Sequence, residues 1–149
     1  MLSGRELIAD IETCEVRPGQ CAFWWLGQHG FALKLGKTVL YVDAYITPSK
    51  ARNVPPLLKS EEITNASGVL GTHDHSDHID RPAWPGIAGA SPNAIFVVPR
   101  RVREKVSTDL GIPAERIVGL DEGIETSIGE VKITAVPAAD IGSVVTGNM

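Results

Sequence analysis

Ser67-Gly68-Val69-Leu70-Gly71-Thr72-His73-Asp74-His75-Ser76-Asp77-His78 is the stretch on which the fold turns. A short apolar run ended by glycine is handed at once to a cluster of histidines and aspartates. Such a run, bounded by turn residues, has the length of a buried strand, and open α/β sheets carry their sites at the C-terminal ends of strands. Three of the four histidines in the chain fall between His73 and His78. Neutral imidazole suits zinc, manganese, iron or nickel, and an added carboxylate favours a dication that also binds water. In an extended segment, residues two apart point the same way. His73 and His75 are therefore expected to converge on one ion, with Asp77 and His78, displaced by the following turn, facing a second. Two ions about 3.5–4 Å apart can share a hydroxide and polarise a scissile bond, giving hydrolysis without a nucleophilic side chain. A solvated polar turn is the plainer alternative, and it leaves the clustering unexplained. Asp74 and Asp80 read as local caps or solvated residues.

Upstream, Ser3 and Glu6 have capping-box spacing, and Leu7, Ile8 and Ile11 form one helical stripe that runs out near Thr13. Ala22 to Leu26 is an aromatic run of strand length. Residues 31–35 and 38–42 flank Gly36-Lys37, a type II′ hairpin signal, so the chain opens with antiparallel β-structure. His29, between Gln28 and Gly30 in a loop near the expected site, reads as a solvated histidine, with a direct role at the site as the alternative. From Asp43 to Ala66 three prolines break any period, which predicts a long surface loop with at most one helical turn. Lys50, Arg52 and Lys59 in this loop could hold a phosphate, against the plainer reading of a solvated face.

Downstream, residues 82–84 suggest a brief helical turn and Ile95 to Val98 a second buried strand. Val102, Val106 and Leu110 share a helix face ended by Gly111 and Pro113. With Arg116 to Val118 as a further strand, this makes a βαβ unit. Residues 124–127 and 131–136 predict a final hairpin, and beyond Pro137 the pattern dissolves into an atypical tail over residues 141–149. Trp24, Trp25 and Trp84 read as core or rim packing.

The chain has 149 residues, 43% of them hydrophobic and 21% charged, with a net charge of −4. That fits a single globular domain and lacks the basic field of a nucleic-acid reader. Cys14 and Cys21 match neither a disulfide framework nor a zinc knuckle. Neither a secretory h-region nor a run of about 20 apolar residues is present. The expectation is a cytoplasmic protein with no membrane or nucleic-acid partner.

The order His-x-His-x-Asp-His after an apolar strand resembles the metallo-β-lactamase superfamily. Its wording from Gly71 to Asp80 is similar to the L-ascorbate-6-phosphate lactonase branch. Trp25-Leu26-Gly27-Gln28, Gly30-Phe31, Tyr41-Val42-Asp43 and Arg81-Pro82-Ala83-Trp84-Pro85 agree with that branch too, so the resemblance covers most of residues 20–137. It implies an αββα sandwich of the α/β (α+β) class, here the N-terminal half of one such domain over residues 1–149. It implies divalent metal, manganese or zinc, as two ions: His73 and His75 on one, Asp77 and His78 on the other. Asp77 would also act catalytically by orienting the bridging hydroxide, and Asp43 would brace a ligand from behind. The implied substrate is a small molecule, a sugar-acid lactone with or without a phosphate, opened by hydrolysis; homo-oligomerisation stays open. The family's later ligands have no counterpart after His78, where Asp140 stands in place of a histidine. The alternative is therefore a truncated, catalytically incompetent metal-binding fragment or interaction module.

Overall fold

The computed structural model describes residues 1–137; Asp140 and the tail over 141–149 lie outside the described residues. The elements are α1 (Gly4–Thr13), β1 (Ala22–Gly27), β2 (Gly30–Leu35), β3 (Thr38–Val42), β4 (Gly68–Leu70), α2 (Trp84–Ala90), β5 (Ile95–Pro99), α3 (Arg103–Leu110), β6 (Ile117–Leu120), β7 (Glu125–Ile128) and β8 (Val131–Thr134). β1 to β6 form one sheet in sequence order, and β7 pairs with β8 in a second. The first three strands are antiparallel, and β3 to β6 are parallel. At Gly36 φ is 56°, while Lys37 keeps a negative φ, as a II′ turn requires.

Alternation sorts the large sheet into two faces. One carries Ala32, Val39, Tyr41, Val69, Phe96 and Val98, and it meets Leu7, Ile8 and Ile11 of α1, Trp84 and Ile87 of α2 and Val106 of α3 in the main core. On the other, Leu40, Val97 and Leu120 pack with Ile128 of the small hairpin. The order is thus helices, large sheet, small sheet: a mixed α+β sandwich. Toward β1 no element among the described residues covers that second face, and Phe23 and Trp25 are 68% and 59% exposed. Trp84 is a core residue, while Trp24 and Trp25 belong to the rim. No helix among the described residues is long and apolar enough to cross a membrane.

Several expectations need correction. The Ser3 side chain makes no cap bond; the first helical amide, Gly4, instead donates to the Leu57 carbonyl at 2.7 Å, so a tertiary contact has replaced the capping box. The segment from Asp43 to Ala66 is no mere surface loop, since Ala44, Ile46, Leu58, Ile63 and Ala66 are buried. The turn expected at residues 82–84 continues as α2, because Trp84 and Ile87, three apart, both reach the core. Lys34 is buried on β2, and its ammonium donates to the Ile11 and Glu12 carbonyls at 2.8 and 2.7 Å. It sits at the negative end of α1, where a cation is favoured.

Candidate metal centre

Every side chain that forms the site comes from one end of the large sheet, where β1, β3 and β4 end and β2 begins. Gly71 delivers the histidine segment: a Cβ there would lie 2.6 Å from Ile79 Cγ1 and 3.2 Å from the His78 carbonyl oxygen, so glycine lets the chain fold back tightly. The segment is a run of bends and turns and not the extended stretch expected, with the His78 and Ile79 amides both donating to the His75 carbonyl. His73 and His75 nevertheless meet, Nε2 to Nδ1 at 3.0 Å. The cause is the turn and not strand alternation. The His73 ring also lies 3.8 Å, centroid to centroid, from that of His78.

His29 completes the group. Its ring stacks on His78 at 3.9 Å, and its Nε2 lies 2.8 Å from the Asp77 backbone oxygen. A carbonyl only accepts, so Nε2 carries the proton and Nδ1 of the neutral ring keeps its lone pair. One ligand atom each from His29, Asp77 and His78 lies within 4.8 Å of the others. The spacing and the mixed imidazole–carboxylate chemistry fit a divalent metal. Sequence reading favoured a solvated His29 over a direct role because it stands 48 residues before Asp77 and the β1–β2 turn brings it back. The signal available in the sequence was its place between Gly27 and Gly30, in a tight turn joining two strand-like runs; the structure shows how constrained that turn is, with Gln28 at φ 51°.

Asp43 stands behind His78. It is buried, its carboxylate accepts from Thr72 N at 2.8 Å and from Thr72 Oγ1 at 2.7 Å, and it lies 2.9 Å from His78 Nδ1, which Thr72 Oγ1 also approaches at 3.2 Å. A ring nitrogen fixed in this way leaves Nε2 to ligate, an arrangement common behind metal-bound histidines. Asp43 holds φ 46°, a strained value for a non-glycine residue and typical of functional positions. Asp80 is neither a cap nor solvated. It is fully buried, and its carboxylate accepts from the Ile46 and Thr47 amides at 2.8 Å and from the Thr47 hydroxyl. Asp74 pairs with Arg81 and so pins the turn.

A family model described as Beta-lactamase superfamily domain matches residues 38–144. The chain is 28% identical to "Probable L-ascorbate-6-phosphate lactonase UlaG" of Salmonella heidelberg (strain SL476), over 96% of this chain and 48% of that protein. It is 29% identical, over the same shares, to the protein of that name from Escherichia fergusonii. The chain thus spans about half the length of the curated relatives it matches. Among solved structures, Igni18, a metallo hydrolase from Ignicoccus hospitalis, superposes with a TM-score of 0.52 at 18% identity, over 73% of this chain and 43% of that one. CmlA, a diiron β-hydroxylase from Streptomyces venezuelae, gives 0.57 at 18% identity, over 83% and 25%.

Proposed function

This chain belongs to the β-lactamase superfamily, and on that footing we propose that it is a metal-dependent hydrolase domain acting on a small lactone. The observation that carries the proposal is the convergence of His29, Asp77 and His78 within 4.8 Å, with Asp43 bonded behind His78. His29, Asp77 and His78 would hold one divalent ion and His73 with His75 a second. Metal bound there would supply Lewis-acid polarisation and water activation near neutral pH. The chain's own part is orientation. Asp43 would hold the His78 ring, the Asp77 carbonyl would hold the His29 ring, and the Asp77 carboxylate would help orient an incoming water. These ligands are partly exposed, so a small substrate has access.

The finer reading, a sugar-acid lactone as substrate and manganese or zinc as metal, draws on the similarity to the lactonases. The test is alkali uptake during ring opening of a sugar-acid lactone by metal-stripped protein, before and after adding manganese or zinc. The proposal expects metal-dependent turnover that His78→Ala abolishes. Full metal occupancy without turnover would support the second reading, a metal-binding portion that works only with further polypeptide. That reading is favoured by the 48% coverage of the relatives.

A further inference from the structure

The segment after β3 returns a cation to the same end of the sheet. Arg52 is half-buried, and two bonds hold its guanidinium: Nη1 donates to the Tyr45 carbonyl at 2.8 Å and Nε to the Val54 carbonyl at 3.1 Å. The group also lies over the Tyr45 ring, 5.1 Å from its centroid. On its other side Nη2 reaches Gly27, where a Cβ would stand 3.3 Å away. Gly27 lies two residues before His29 and pairs with Gly30, whose own Cβ would meet the Asp43 backbone oxygen at 2.9 Å. Tyr45 lies two residues beyond Asp43. The guanidinium is therefore tied to both loops that frame the histidine group.

A guanidinium has five N–H donors, and two of these are used on carbonyls. One on Nη1 and two on Nη2 are left, and among the described residues no carboxylate pairs with Arg52. The carbonyls fix the group without neutralising it. An ordered, uncompensated fork with adjacent Nη1 and Nη2 donors matches the two oxygens of a phosphate or carboxylate. Because the side chain is already held, less rotamer entropy is lost on binding.

We infer that Arg52 binds the anionic group, phosphate or carboxylate, of the small molecule handled at the histidine centre, and so favours anionic over neutral substrates. The link to a substrate rests on the hydrolase reading above, whereas the anion site itself needs no metal.

The test titrates inorganic phosphate, and separately acetate, into the metal-stripped chain. Binding is followed by calorimetry. Wild type should bind at least one of the two saturably, and the one bound more tightly identifies the group recognised. Arg52→Gln should weaken binding about tenfold, the scale of a lost charge-assisted hydrogen bond. Arg101→Gln, an equal charge change at an exposed residue of the turn before α3, should leave it unaltered. Should Arg52→Gln fail to fold, Arg52→Lys decides, since it keeps the charge and loses the fork: weaker binding supports the inference. Binding by either folded Arg52 variant equal to wild type overturns it, as does an equal loss in Arg101→Gln or no binding of either anion by wild type. Phosphate binding through Arg52 in a chain that takes up no metal would remove the hydrolase reading and leave the anion site standing.

Discussion

Asp43 and Asp80 are the same residue type, both buried, and they differ in what donates to them. Asp43 receives His78 and Thr72, so its loss should be felt at the metal. Asp43→Asn is expected to lower metal affinity about 10–100-fold, measured by competition with a chromophoric chelator. Asp80 receives the backbone amides of Ile46 and Thr47, so its loss should be felt in folding. Asp80→Ala leaves buried donors unsatisfied and is expected to cost about 3 kcal/mol or more in urea unfolding. Sequence alone could not separate these roles, because a carboxylate after an apolar run serves equally as cap, clamp or brace. His73 to His78 were legible as a group because they are contiguous. His29 was not, because its membership depends on the pairing of β1 with β2.

Among the elements of the described residues, alternation, short apolar runs and the 3.6-residue period revealed the strands and two of the three α-helices. α2 escaped because Gly86 and Gly89 give it poor propensity, and burial of Trp84 and Ile87 overrides that. The packed segment between β3 and β4 escaped because its buried residues follow no period and are placed by tertiary clamps such as Asp80. β3 also carries a pH signature. Burial, reinforced by the Glu12 carboxylate, raises the Tyr41 pKa, while its hydrogen bond to Asn65 at 2.8 Å opposes the rise only in part. The unfolded phenol titrates near pH ~10. A folded pKa above the unfolded one means that the unfolded state loses its proton first, so stability is retained below that pH and falls as pH rises beyond it. Tyr41→Phe should flatten this alkaline loss in urea midpoints measured across that range, while costing about 1 kcal/mol at neutral pH for the lost hydrogen bond.

For the whole molecule, the order of helices, large sheet and small sheet accounts for the main core and for the place of the site at the sheet's end. The β1 side of the large sheet is left with exposed Phe23 and Trp25. An apolar patch on an edge strand favours association, so Phe23→Thr should reduce concentration-dependent light scattering without lowering the urea midpoint. Unchanged scattering would acquit this face. The central claim is that the loop of His29 and the segment of Asp77 and His78 form one metal-binding group. Its most direct test is calorimetric titration of zinc or manganese into metal-stripped wild type, His29→Ala and His78→Ala. The predicted result is saturable binding of at least one ion by wild type, weakened about tenfold or more in each variant. A wild type that takes up no metal, or a His29→Ala variant that binds as wild type does, would contradict it.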